Sequence, residues 1–292
     1  MLYDIKLGLH YDYKSRVSND RHHLRITPVT IGGVQRVVAA SLAIVPKPVQ
    51  QSSFKDFFGN TVTTIAFAGY HNELDVRLTA RVQVQDGAQN PDLSPPIERL
   101  GAELAGIWSV GPEAPHHFLG ATPKSVPDAE MTAMARQSVE RTATVLEAVI
   151  DLGRTIHAEF EYNSEATTVD TTAAQAFALR QGVCQDFAHV MIAALRGVGI
   201  PAGYVSGFLR TLPPPGKPRL EGADAMHAWV RAWCGRDMGW IDYDPTNAML
   251  VGASHITIGH GRDYSDISPI RGVLKTSGGQ KSKQSVDVVV VE

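Results

Sequence analysis

Residues 182–189 read Gly182-Val183-Cys184-Gln185-Asp186-Phe187-Ala188-His189. Cys184 stands where a turn residue, Gly182, gives way to an apolar stripe at helical spacing: Phe187, Val190, Met191, Ala194 and Leu195. Downstream come Met226-His227-Ala228-Trp229, and then Asp242-Tyr243-Asp244-Pro245-Thr246-Asn247. A thiol, an imidazole and a carboxylate, in that order, are the parts of a cysteine-nucleophile enzyme. The imidazole activates the sulfur and the carboxylate orients the imidazole.

A thiol of ordinary pKa, near 8.5, is mostly protonated at neutral pH. A helix start beside Cys184 would lend it partial positive charge, and a facing imidazolium would hold the thiolate as an ion pair. The backbone N–H of Cys184 could also donate to an oxyanion, and one such donor is worth about 3 kcal/mol in a transition state. A second oxyanion donor is not identifiable. Asp242 and Asp244 would lie on one face of an extended strand, so periodicity leaves the choice between them open. The other cysteine, Cys234, falls in a strand or hairpin with no helix start and is expected to be structural. Asp186 would oppose a thiolate if it pointed inward, so it is expected to pair elsewhere. His189 is expected to pack or to cap a polar contact.

These groups must be positioned by elements of two kinds. The first third of the chain reads as strands: Leu2 to Tyr13, Val37 to Val45, Val62 to Phe67, and the period-two segment Leu74 to Val84. Gly32-Gly33, Pro46, Pro48 and Gly59-Asn60 punctuate them. A small β-sandwich follows from that pattern. Gln85 to Pro96 is polar and rich in Pro, Asn and Asp, the composition of a linker. From Asp128, a candidate N-cap, apolar residues keep helical spacing with a break near 137–141 and an end near Tyr162. Asp170 is a second candidate cap. After the Cys184 helix, Gly197, Gly199 and Pro201 end the helical pattern. Ala202 to Leu209 reads as a strand, Thr211 to Asp224 as a proline-rich loop, and Ala228 to Trp233 and Trp240 to Tyr243 as two strands. Beyond Asn247 the pattern is irregular, Ser277 to Ser285 reads as a mobile polar stretch, and Val286 to Val291 as a terminal strand for an existing sheet edge.

The 292 residues are 43% hydrophobic and 20% charged with a net charge of −3, so neither nucleic acid nor an anionic membrane is an expected partner. No apolar run reaches the ~20 residues that cross a bilayer. Two cysteines and an N-terminus without a signal-peptide pattern lead to the expectation of a cytoplasmic protein. The chain has 11 histidines, but His22-His23 and His116-His117 are adjacent pairs whose side chains diverge, and no metal-ligand spacing occurs. No metal or cofactor is expected, and no calcium-loop pattern is present.

The Cys184 segment, Gly199-Ile200-Pro201-Ala202, His227-Ala228-Trp229-Val230, Gly239-Trp240 and Asp244-Pro245-Thr246-Asn247 together resemble the transglutaminase-like core. More narrowly they resemble the bacterial transglutaminase-like proteins of the cysteine-protease branch, with an N-terminal β domain. Asp56-Phe57-Phe58-Gly59-Asn60, Gly261-Arg262-Asp263-Tyr264 and Pro269-Ile270-Arg271-Gly272 fit that branch, so the resemblance spans nearly the whole chain. Val183 departs from the Gln that precedes the cysteine in animal transglutaminases, and Trp108 aligns with no oxyanion motif. The resemblance implies an α+β fold: a β-sandwich-like domain over 1–90, a papain-like catalytic domain with a helical lead-in over 91–276, and a polar tail and terminal strand over 277–292. It further implies Cys184 as nucleophile, His227 as base and acid, and Asp244 rather than Asp242 as the orienting carboxylate. The implied activity is acyl transfer through a Cys184 thioester from a peptide or protein amide. Hydrolysis is the favoured outcome; transamidation, or an idle peptide-binding module, is the alternative.

Overall fold

The computed structural model describes residues 1–85, 91–211 and 224–291. The linker expected over 85–96 and the loop expected over 211–224 lie in part or mostly outside the described residues. The chain is α+β. Its first unit holds β1 (Leu2–Leu24), β2 (Gln35–Val45), β3 (Gln50–Lys55), β4 (Thr61–Ala66) and β5 (His71–Val84). Alternation works as the sequence pattern requires. Leu74, Val76, Leu78, Ala80, Val82 and Val84 of β5 are buried, as are Tyr3, Ile5, Leu7 and Leu9 of β1, with more exposed residues between them. β1 runs well past Tyr13. Polar residues hide its second half in the sequence, yet Asp20 and His22 are buried there and bond to each other at 2.7 Å.

The middle of the chain supplies α1 (Ile97–Ala105), α2 (Ala129–Arg141), α3 (Val145–Glu159), β6 (Glu161–Tyr162), α4 (Ala173–Leu179), β7 (Gln181–Gly182) and α5 (Cys184–Gly197). Asp128 caps α2, its carboxylate accepting from the Met131 N–H at 2.8 Å. The helical break falls at 142–144, where Thr144 caps α3. Asp170 is not the cap of α4. Thr172 takes that role, because Gln175 three residues on returns a bond to its backbone and completes a capping box. α5 is buried on nearly all sides, which makes it the central helix of this half.

The last part carries β8 (Ala202–Leu209), β9 (Ala225–Trp233), β10 (Trp240–Asp244), β11 (Met249–Leu250), β12 (His255–Gly261), α6 (Tyr264–Ile267), β13 (Ile270–Lys275) and β14 (Gln280–Val290). A five-stranded antiparallel sheet runs in the order β11-β10-β9-β8-β12. One core lies between it and the helices; a second joins Phe208, Ile256 and Ile258 of this sheet to β1 and β5. The chain beyond Asn247 is therefore regular, contrary to the sequence reading. The glycines and histidines of β12 conceal a strand that pairs with β8 around a bulge between Thr257 and Gly259. The stretch expected to be mobile is strand as well. Ser285 to Gln280 pair residue by residue with Gly8 to Tyr13, so backbone bonds hold a segment whose side chains bury little.

Side-chain amides join the two halves at the free edge of β12. Gln35 accepts from the Thr257 N–H at 2.8 Å and donates to the Thr257 carbonyl at 2.7 Å. Asn60 does the same at His260, at 2.9 and 2.7 Å. A side chain at Gly259 would place its Cβ 2.1 Å from the Asn60 oxygen, so only glycine admits this contact. Asp56 in turn fixes the turn that presents Asn60, accepting from the Phe58 and Asn60 N–H groups.

β14 completes the first sheet with Val286 and Val288 buried beside β1. Val288→Asp is expected to destabilise the chain by about 3 kcal/mol or more, the cost of an unpaired buried charge. Urea denaturation measures it; an unchanged midpoint would mean the terminal strand contributes nothing to the core.

Candidate active site

Cys184 is the first residue of α5, and the helix start is built around Asp186. Its Oδ2 accepts from the Val183 N–H at 2.9 Å and from the Thr167 hydroxyl at 2.6 Å. The carboxylate can fold back because residue 182 has no side chain: a Cβ there would stand 2.5 Å from Asp186 Oδ2. Asp186 thus pairs within its own turn, as expected. Burial pushes its pKa up against the opposing pull of Thr167 and Val183. The Cys184 thiol is half-buried, while Cys234 is fully buried and burial drives its thiol far above the ordinary range. Burial, and after it the charge of Cys184, raise the pKa values of Tyr162 and Tyr204, which puts both phenols in the thiol's surroundings.

His227 lies near the start of β9, opposite Gly207 of β8. Its imidazole Nε2 meets Asp244 Oδ2 at 2.7 Å. Burial disfavours the imidazolium, but the Asp244 bond, with hydrogen bonding and charge from Cys184, outweighs it and holds the His227 pKa up at about 10. Asp244 ends β10 fully buried. Its Oδ1 accepts from the N–H groups of Thr246 and Asn247 at 2.9 and 3.2 Å. Its Oδ2 also accepts from Asn247 Nδ2 at 2.7 Å. Burial would raise the carboxyl pKa, yet His227, His255 and Asn247 together hold it below the usual carboxylate range. Asp242 is engaged elsewhere, accepting the indole N–H of Trp229 at 2.9 Å. The geometry therefore pairs His227 with Asp244 and leaves Asp242 to the tryptophan.

His255 is the residue that sequence reasoning missed. Its Nε2 lies 3.1 Å from Asp244 Oδ2, and no motif or spacing marks it. One ligand atom each from His227, Asp244 and His255 lies within 4.8 Å of the others, an arrangement of the size a metal ion takes. All three atoms already share hydrogen bonds, with both imidazoles converging on one carboxylate oxygen. Three other histidines singled out in the sequence make separate contacts. His189 is fully buried, accepts the Tyr264 N–H at 3.2 Å, and is pushed by burial down to about 3. His116 and His117 bond separate carbonyls, those of Ile107 and Val110. Trp108 is 90% exposed.

Residues 132–245 match the model of the transglutaminase-like superfamily, and residues 3–83 that of the bacterial transglutaminase-like N-terminal region. The chain belongs to the bacterial transglutaminase-like superfamily. An uncharacterized protein of Mycobacterium tuberculosis, Rv2569c, is 37% identical over 262 residues, covering 88% of this chain and 83% of that one. A protein-glutamine gamma-glutamyltransferase of Pseudomonas aeruginosa is 37% identical over 98 residues, 32% of this chain and 14% of that protein. Among solved structures, a candidate cysteine protease of Cytophaga hutchinsonii aligns over 100% of this chain and 91% of its own, with a TM-score of 0.76 at 22% identity. That last likeness shows a shared fold over the whole chain.

The expected cytoplasmic setting is corrected. The structural matches include the periplasmic domain of TgpA from Pseudomonas aeruginosa, at 16% identity over 83% of this chain and with a TM-score of 0.38. Two free thiols do not select a compartment in any case, since one is sealed in the core and the other belongs to the candidate site. Among the described residues no helix is long and apolar enough to cross a membrane.

The ion pair at this site ties stability to pH. His227 is held at about 10, above an unfolded value of roughly 6.5, so its contribution is complete below pH ~6.5 and is lost as pH rises towards the folded value. Asp244 is held low, so its contribution is present above roughly pH 4 and is lost on acidification. Urea midpoints should fall on the alkaline side, and His227→Gln should flatten that fall. An identical alkaline slope in the variant would remove the ion pair as its source.

Proposed function

We propose that this chain is a thiol-dependent acyl-transfer enzyme in which Cys184 is the nucleophile, His227 the base and acid, and Asp244 the orienting carboxylate. The observation that carries the reading is the buried 2.7 Å bond between His227 and Asp244, on a ring whose charge Cys184 helps to stabilise from a helix start. Asp244 occupies His227 Nε2, so Nδ1 is the nitrogen left to exchange a proton with the sulfur. All three residues fall in the stretch proposed as the catalytic unit, 91–276, with 1–90 and 277–292 as its scaffold.

The chemistry follows from those roles. The Cys184 thiolate attacks an amide carbon, and the carbonyl π electrons move to oxygen, where the Cys184 N–H can donate. The intermediate collapses as the C–N bond breaks, and imidazolium His227 gives its proton to the leaving amine. A thioester remains on Cys184. Water then attacks it, His227 takes the water's proton, and collapse returns the thiolate and a carboxylic acid. Hydrolysis of a peptide or isopeptide bond is the favoured outcome, supported by the protease-like fold match over the whole chain. The stretch shared with a gamma-glutamyltransferase supports a second reading, in which a primary amine replaces water.

Two measurements test this. Iodoacetamide should label Cys184 rapidly at pH 6.5, where a free thiol is only about 1% thiolate, and His227→Ala should slow that labelling tenfold or more. Labelling with one step near pH 8.5, unchanged in His227→Ala, overturns the activated nucleophile and leaves an idle binding module. A glutamine peptide incubated with a labelled amine separates the outcomes: free acid supports hydrolysis, and dominant amine incorporation makes the chain a transamidase.

A further inference from the structure

The Asp244 carboxylate serves two imidazoles through one oxygen, and the second imidazole has no part in the reaction above. His255 opens β12, its side chain fully buried. Its tautomer is fixed by a turn: the Gly252 N–H donates to His255 Nδ1 at 3.4 Å, while the His255 backbone N–H returns to the Gly252 carbonyl at 3.0 Å. With Nδ1 accepting, Nε2 carries the proton and donates to Asp244 Oδ2 at 3.1 Å. The ring is held edge-on against Trp229, centroids 5.2 Å apart, and Trp229 is itself fastened to Asp242. Trp229 reaches this position because β8 has Gly207 there; a Cβ would meet the indole at 2.2 Å.

We propose that His255 is a positioning residue that, locked by Gly252 as the Nε2–H tautomer, shares Asp244 Oδ2 with His227 and so limits how strongly the carboxylate pulls on the His227 proton. A carboxylate oxygen that takes three donors offers each a smaller share of its charge than one that takes two. His227 must release its proton to the leaving amine as well as hold it against the thiolate, so a weaker pull suits the acid half of the cycle. The charged and titratable groups around the cluster include Cys184 from α5, Asp242 and Tyr243 from β10, and His157 of α3, whose ring bonds the Thr246 carbonyl at 2.9 Å. Among the described residues, His227 and His255 are the two that place an imidazole nitrogen on Asp244.

The proposal rests on reading His227 and Asp244 as base and orienting group, and its test does not depend on Cys184 reacting. Proton and nitrogen NMR of histidine-labelled protein, in the native chain and in Cys184→Ser, reads both rings directly. In the native protein, the His255 ring is expected with Nε2 protonated and Nδ1 bare. In His255→Phe, which keeps an aromatic ring and removes the donor, the His227 Nε2–H resonance should move downfield. In His255→Gln, which restores a donor near the Nε2 position, it should return towards the native shift. The opposite tautomer at His255, an unmoved resonance in His255→Phe, or equal displacement in both variants overturns the proposal. So does stoichiometric zinc on the purified native chain that is lost in His255→Phe, since the cluster would then be a metal centre. Failure of the nucleophile reading shows separately, as ordinary iodoacetamide labelling with these resonances intact.

Discussion

Everything at this site depends on one buried anion. Asp244 is fully enclosed, and an isolated carboxylate there would cost far more than its neighbours could return by packing. The chain keeps it ionised by directing two backbone N–H groups, an asparagine amide and two imidazoles at its two oxygens. Four of those donors are held by local geometry: the turn after β10 supplies the N–H groups and Asn247, and the turn before β12 orients His255. His227 is the remaining donor, and it also faces another charge-bearing group. Burial opposes its protonation; the Asp244 bond, with hydrogen bonding and charge from Cys184, overcomes that opposition. The site is thus centred on one carboxylate that holds the imidazole of a neighbouring strand.

Bringing a helix start to a sheet strand requires close approaches that ordinary side chains would block. Gly182 lets Asp186 fold back and fix the first turn of α5, so the thiol sits at a defined place on the helix. Gly207 lets Trp229 cross β8 and brace His255. Gly153, on α3, leaves room for Tyr243 of β10, where a Cβ would fall 2.0 Å from the ring. The last of these sets the distance between the helical layer and the strand that carries Asp244. At each position the missing side chain is a packing requirement, with no need for a special backbone conformation.

The part of the site that was legible in the sequence is the part whose chemistry is carried locally. Cys184 reads as a helix start because Gly182 and the apolar stripe flank it, and His227 and Asp244 sit in segments of distinct composition. Strand alternation could not separate Asp242 from Asp244, since both would project from one face; the family resemblance selects Asp244, and in the structure the partners, an indole and an imidazole, tell the two apart. His255 was illegible for a different reason. Its role comes from a bulged strand pairing across the sheet to β8, and the sequence around it, rich in glycine and histidine, resembles a loop. The first half of β14 was missed likewise, because it is held by backbone bonds to β1 and carries no apolar pattern. The cap at Thr172 was legible in principle through its three-residue spacing to Gln175, which outranks the more acidic Asp170.

The same hidden strand explains why a β unit without catalytic groups accompanies the candidate site. β12 is the edge of the five-stranded sheet, and an edge leaves backbone donors and acceptors open. Gln35 and Asn60 close that edge with amides that imitate a neighbouring strand, pairing at Thr257 and His260. Apolar contact reinforces them, since Ile256 and Ile258 enter the core formed by β1 and β5. His255 immediately precedes these residues. Its position against Asp244 is thereby set from two sides, by the Gly252 turn within its own segment and by a strand that the N-terminal unit grips. The N-terminal unit thereby bears on the geometry of the carboxylate's second partner through three links: Gln35, the packing of Ile256 and Ile258, and Asn60 of the segment Asp56-Phe57-Phe58-Gly59-Asn60.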